Sequence, residues 1–198
     1  MIVGITGTLG AGKGTVVEYL TETKGFDHYS VRAYLLEEIR RRGLPENRDS
    51  MVVVANGLRA EHSPSYVTDQ LYFRAKERGR NCIIESIRTP GEINSLREKG
   101  NFILLAVDAD PAVRYDRIVM RGSETDHISF ETFLNNEQRE MTATDPSKQN
   151  LRACIGQADF LLTNNGTREG LFQQVEAVLA QFPGAKSPDH PAPREQRP

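Results

Sequence analysis

The chain has little with which to cross-link itself and nothing with which to span a bilayer. Only two cysteines occur among its 198 residues, Cys82 and Cys154, each in apolar surroundings. Two scattered cysteines make neither a disulfide framework nor a zinc site. They read as buried, reduced thiols of a cytosolic protein. The longest apolar runs, such as Phe102 to Val107, fall well short of the ~20 residues of a transmembrane helix. The opening Met1-Ile2-Val3-Gly4-Ile5-Thr6 lacks the basic start and cleavage site of a signal peptide. An excess of one charge is missing too. Lys plus Arg number 25 and Asp plus Glu 27, a net charge of −2, so neither nucleic acid nor a membrane surface is an expected partner. The histidines, His28, His62, His127 and His190, lack metal-ligand spacing and are expected at the surface. There is no internal repeat.

What is present is a regular alternation. Met1–Thr6, Phe26–Tyr29, Cys82–Glu85, Phe102–Val107 and Phe160–Leu162 are short apolar or β-branched runs, suited to strands. Between them lie segments of helical spacing. Thr15–Lys24 can put Val16, Val17 and Leu20 on one face; Val31–Arg42 stops at Gly43 and Pro45; Arg48–Glu61 follows. Ser63 and Pro64 read as the N-cap and first position of a helix to Arg78. Thr89-Pro90 opens a helix to Lys99, Asp110-Pro111 one to Arg121, Ser129 one to Met141, and Thr167 one to Ala180; Ser147–Gly156 is a further helical stretch. The pattern predicts an α/β fold in three layers, with a five-stranded parallel sheet between helices. The run of helices over about residues 31–79 interrupts that rhythm and offers an acceptor-binding insertion, and residues 121–141 a short lid. Residues 1–182 thus read as one domain. From Pro183 the proline-rich, apolar-poor composition predicts a disordered tail to Pro198.

The sharpest motif is Gly7-Thr8-Leu9-Gly10-Ala11-Gly12-Lys13-Gly14-Thr15, between a predicted strand and a predicted helix. This is the context of a P-loop. Glycines let backbone N–H groups turn inward around phosphate oxygens, and the helix N-terminus adds unpaired donors and a positive dipole end. Gly7, Gly10, Ala11, Gly12, Gly14 and Thr15 are therefore candidate nucleotide contacts. Lys13 sets a mobile charge against the β- and γ-phosphates. Gly14 stands where the strict pattern has a Mg²⁺-binding hydroxyl, which comes one residue later at Thr15. Glu85, closing an apolar strand, sits where a Walker-B acid would. Thr15 and Glu85 are the candidates for holding Mg²⁺ beside ATP.

The Gly-Ala-Gly-Lys-Gly-Thr form, with Asp116-Arg117-Ile118-Val119-Met120-Arg121, resembles the adenylate kinase branch of the nucleoside monophosphate kinases. The resemblance implies that Arg117 stacks on the donor adenine and that Arg121 meets phosphate. It implies an acceptor-phosphate arginine at Arg32, after the second strand, and Arg139 as one that swings in on a lid helix. Glu85-Ser86-Ile87-Arg88, the Phe102–Asp108 run and Ala158 to Thr167 look more like dephospho-CoA kinase relatives. They look closer still to small adenylate-kinase-like ATPases and to the kinase-like region of some deoxycytidylate deaminases, though no deaminase zinc motif follows. On that likeness Arg88 would grip the acceptor phosphate and Asn165 would join the nucleotide contacts.

A phosphotransferase follows from this inventory. Lys13, Arg88, Arg121 and Glu85 would surround the transferred group, with little covalent chemistry left for the protein. ATP is the expected donor, and a nucleoside or deoxynucleoside monophosphate the expected acceptor. Two alternatives stand beside it. One is a dephospho-CoA kinase, against which Ser30 counts, since those relatives carry an Asp there. The other is an ATP-driven regulatory switch.

Overall fold

Five parallel strands stand in the order β2-β3-β1-β4-β5 in the computed structural model. It describes residues 1–122, 128–141 and 149–182. The tail expected from Pro183 and part of the expected lid lie outside the described residues. The strands are β1 (Ile2–Gly7), β2 (Asp27–Ser30), β3 (Cys82–Glu85), β4 (Phe102–Asp108) and β5 (Phe160–Thr163). The helices are α1 (Lys13–Glu22), α2 (Val31–Arg41), α3 (Arg48–Glu61), α4 (Tyr66–Arg78), α5 (Pro90–Glu98), α6 (Pro111–Arg121), α7 (Phe130–Met141), α8 (Leu151–Gly156) and α9 (Arg168–Leu179).

The three inner strands are apolar on both faces because both faces are covered. Along β3, Ile83 enters one core and Ile84 the other. Leu105 and Leu104 divide in the same way on β4. The first core packs Val3, Ile5, Ile83 and Leu105 against Val16 and Leu20 of α1 and Leu171 and Val175 of α9. The second packs Ile84 and Leu104 against Leu35, Leu58, Leu71 and Ile93 of the insertion helices and α5. Cys82 and Cys154 are buried free thiols, as expected. Burial pushes them up to about 11 and about 12, so neither is a nucleophile at neutral pH. No described helix is long and apolar enough to cross a membrane.

Ser63 and Pro64 do not open α4, contrary to the sequence expectation. The helix starts at Tyr66, whose N–H bonds the Ser63 carbonyl at 3.1 Å. The Ser65 hydroxyl, at the N-cap, turns to Asp69 at 2.8 Å rather than to the backbone. Pro64 lies in a turn, close enough to α5 that a Cβ on Gly91 would stand 3.1 Å from it. Tertiary packing has displaced the local cap signal by two positions.

At the other boundaries local chemistry prevails. Ser30 ends β2 and caps α2, accepting from Ala33 N–H at 3.3 Å. Thr89 and Glu92 form a reciprocal capping box on α5: the Glu92 N–H meets Thr89 Oγ1 at 3.2 Å and the Thr89 N–H meets Glu92 Oε2 at 3.0 Å. Thr89→Ala should therefore cost about 1–2 kcal/mol, read as a lower urea midpoint with an unchanged slope.

Candidate nucleotide site

Strand order reverses on either side of β1, and ligands of such sheets gather beyond the strand carboxyl ends at that point. There β1 runs into the glycine loop. Lys13 is the first residue of α1, and Gly12 before it is left-handed, with φ 98°. No side chain caps this helix and no acid stands in its first turn, which leaves its positive end open to an anion. The Lys13 ammonium folds back over the loop and donates to the carbonyls of Gly7 at 2.9 Å and Thr8 at 2.7 Å.

The loop is braced from three directions. Thr8 Oγ1 donates to Asp108 Oδ1 at 2.6 Å, at the end of β4. Asn164 Nδ2, after β5, donates to the Ala11 carbonyl at 2.8 Å. Asn164 packs so close that a Cβ on Gly12 would collide with its amide. The third brace is Arg114 on α6, only 2% exposed. It donates to the Ala109 carbonyl at 2.7 Å and the Leu9 carbonyl at 3.3 Å, and takes both oxygens of Glu137 on α7, at 2.7 and 2.9 Å. Its guanidinium also lies over the Phe133 ring, 5.4 Å from the centroid. One buried arginine thus ties the glycine loop to a helix of the expected lid.

Glu85 closes β3 level with Ile5 of β1 and Ser30 of β2. Ser30 Oγ donates to its Oε1 at 2.9 Å, and His28 Nε2 stands 3.4 Å from the same oxygen. The His28 contact foremost, then Ser30 and the charge of Lys13, hold this carboxyl below its ordinary range against the opposing cost of burial. Glu85 is therefore an anion at neutral pH. His28 is exposed, as expected of it, yet it serves this acid. Thr15 is half-buried in the first turn of α1, and its N–H is spent on the Gly12 carbonyl at 3.0 Å. A Cβ on Gly14 would meet nothing within 4 Å, so the position after Lys13 faces open space.

The arginines frame this centre. Arg88 follows Ile87, which is held to β1 by its N–H to the Ile5 carbonyl at 3.2 Å and by Thr6 Oγ1 to its own carbonyl at 2.8 Å. Arg88 Nη1 donates to Gln149 Oε1 at 2.7 Å, and its carbonyl accepts from Asn150 N–H at 2.9 Å. Arg32, two residues past Ser30, is exposed, with Nη1 3.5 Å from Met51 Sδ. Arg117 lies one turn beyond Arg114 and its Nη1 is buried without a hydrogen-bond partner; Arg121, a turn further, is exposed. Asn165 accepts from Asp110 N–H at 2.7 Å and so fastens the start of α6, while its neighbour Asn164 touches the loop. The Arg139 side chain lies outside the described residues. Asn164, Asp108, Arg114 and Glu137 escape a sequence reading because each acts through a partner far along the chain. The nearest signal was the Asn-Asn pair itself.

Residues 3–143 match the AAA_18 family, described as an AAA domain, and the chain belongs to that family. A UPF0200 protein of Thermococcus kodakarensis is 29% identical over 188 residues, covering 92% of this chain and 98% of the relative. A UPF0200 protein of Methanocaldococcus jannaschii is 26% identical over 185 residues, covering 92% and 90%. Among solved structures, TT1252 from Thermus thermophilus superposes with a TM-score of 0.61 at 21% identity, over 92% of this chain and 97% of its own. A sugar kinase from Janibacter superposes with a TM-score of 0.52 at 17% identity, over 94% and 98%. The fold is that of the P-loop kinases, as the sequence predicted.

Two predictions follow from the geometry. Lys13→Ala should leave the thermal unfolding midpoint within a few degrees of the parent, because the side chain lies half-buried over the loop and belongs to neither apolar core. It should weaken ATP binding at least tenfold; an unchanged affinity by calorimetry would remove Lys13 from the site. The second concerns Glu85. A carboxyl whose folded pKa is depressed adds stability above its unfolded value of about 4.3, and this is lost as pH falls through the folded value. In a carboxyl ¹³C NMR titration Glu85 should titrate below that reference, and His28→Ala should move its midpoint upward.

Proposed function

We propose that the protein transfers the γ-phosphate of ATP to a small anionic acceptor, of which a nucleoside or deoxynucleoside monophosphate is the best fit. The observation that carries this reading is the uncapped start of α1 with Lys13 folded over the loop, facing the ionised Glu85 across the sheet's reversal point. On this reading the loop N–H groups and Lys13 hold the donor phosphates, and Arg117 and Arg121 serve the donor side. Arg88 and Arg32 stand on the acceptor side, at the ends of β3 and β2, where the α2–α4 insertion begins. Arginine suits that task because its planar fork matches phosphate oxygens.

Mg²⁺ would accompany ATP. No group of three or more His, Cys, Asp or Glu suited to a metal occurs among the described residues. That fits an ion held chiefly by phosphate oxygens and water, with Glu85 and Thr15 as the protein's contribution. The ion would neutralise charge on the phosphates. The protein's own work is to position the two substrates and keep water from the transferred group.

The state of Glu85 favours an anionic acceptor over a hydroxyl. A hydroxyl acceptor gains from a carboxylate free to take up its proton, whereas Glu85 is engaged by Ser30 and His28. A phosphate oxygen is already ionised and needs no base. Ser30, standing where the dephospho-CoA kinases that the chain resembles carry an Asp, agrees with this.

ADP release should be measured against a panel of nucleoside and deoxynucleoside monophosphates, with dephospho-CoA alongside. One monophosphate should stimulate turnover tenfold or more. Arg88→Ala should then raise the KM of that acceptor by tenfold or more, as expected if about 1.5–3 kcal/mol of charged hydrogen bonding is lost, while the KM for ATP holds. Slow hydrolysis indifferent to every acceptor would sink the kinase reading in favour of a nucleotide-driven switch.

A further inference from the structure

Three buried side-chain atoms among the described residues have no hydrogen-bond partner: Asp27 Oδ2, Arg59 Nε and Arg117 Nη1. Asp27 is answered by nearby arginines, Arg80 at 3.1 Å and Arg78 at 3.8 Å. Arg117 belongs to the donor side already described. Arg59 is met less closely than Asp27 is by Arg80, by one Glu92 oxygen at 3.5 Å, and its Nε by nothing among the described residues.

Arg59 lies near the end of α3, inside the insertion, and is only 7% exposed. Its neighbours on the helix, Ala55 and Leu58, are core residues. Its charge is met by a single long contact, Nη2 to Glu92 Oε1 at 3.5 Å, beyond the ~3.2 Å reach of a good N–H···O bond. Glu92, 1% exposed, spends its other oxygen on the N–H groups of Arg88 at 2.8 Å and Thr89 at 3.0 Å. A guanidinium carries five donors and stays charged at any ordinary pH. The Arg59 Nε is buried with no partner among the described residues; burying such a donor is costly, and the group cannot escape by losing its proton.

The position of this arginine says what would use those donors. Glu92 links Arg59 through one oxygen to the Arg88 backbone through the other, and Arg88 stands on the turn held to the end of β1. Arg59 thus approaches the proposed acceptor side from the insertion, behind Arg88. We propose that Arg59 is a ligand-binding residue: together with Arg88 it holds an anionic group, phosphate or carboxylate, of the acceptor. This rests on the phosphotransfer reading for what the ligand is used for, but not for its binding.

Inorganic phosphate and acetate serve as probes for the two kinds of anion. Each is titrated calorimetrically into the full chain and into Arg59→Gln and Arg59→Lys, with the glycine loop silenced in two ways: by saturating non-hydrolysable ATP analogue, or by Lys13→Ala. One anion should bind. Arg59→Gln should weaken it tenfold or more, Arg59→Lys less, and the anion should raise the Tm of the parent but not of Arg59→Gln. Affinity for labelled ATP should stay within twofold in both variants. The preferred anion assigns the acceptor group: phosphate points to a phosphorylated acceptor, acetate to an acid. Equal anion binding by parent and Arg59→Gln, or no anion binding by the parent, overturns the proposal. If Arg59→Gln fails to fold, undiminished binding by Arg59→Lys with no Tm difference does the same. A parent that binds the anion but no ATP fails the phosphotransfer reading and leaves the Arg59 site standing.

Discussion

A loop that binds phosphate through its backbone must leave its N–H groups unspent, and so it cannot hold its own shape. Here, beside one long bond within the loop from the Ala11 N–H to the Thr8 carbonyl at 3.4 Å, the shape is braced from outside, through carbonyls and side chains that a bound phosphate would not need. Asn164 takes the Ala11 carbonyl, Asp108 takes the Thr8 hydroxyl, and Arg114 takes the Leu9 carbonyl. The braces come from the β5–α9 connection, the end of β4 and α6. Strand order is thus part of the site: β4 lies beside β1, register Gly7 to Val107, which sets Asp108 level with the loop. It also explains why Gly12 has no substitute. The position needs both a left-handed φ and room for Asn164.

The same economy governs the charges. Lys13 donates to two carbonyls of its own loop. Such contacts are readily exchanged for phosphate oxygens. Glu85 lies close enough for its charge to be felt, but its oxygen is occupied by Ser30 and His28. The acid is kept ionised and kept off the lysine by the same two neighbours, both from β2. That short edge strand contributes little to the core, and its value lies in what its carboxyl end carries.

The architecture was legible because it rests on local patterns. Apolar runs of four to seven residues, separated by helical spacing, allow few arrangements besides a parallel sheet covered on both faces. The glycine loop was legible for the same reason, being contiguous. The start of α4 was not. Ser63-Pro64 is a sound local signal for a helix start, but Pro64 is drawn against Gly91 of α5 and the helix waits until Tyr66. The braces were illegible on principle. Asn164 acts 153 residues from its partner and Arg114 acts 105 residues away. Their types promise only polarity until the fold says what they face.

The arginines show the distinction most sharply. In sequence they are equivalent cations, and helix position separates them little. In the fold they part by whether their donors are met. Arg114 is buried and satisfied, with Glu137, two carbonyls and an aromatic face around it. An arginine so used is structure, since a ligand could reach it only by displacing those partners. Arg59 and Arg117 hold buried nitrogens that nothing among the described residues answers. Such costs are expected at functional sites, where a ligand can offset them. One lies on the insertion, joined through Glu92 to the Arg88 backbone, and the other on α6, one turn past Arg114. On the phosphotransfer proposed above, Arg117 would serve the donor side and Arg59 the acceptor side, and the unmet nitrogens support that division.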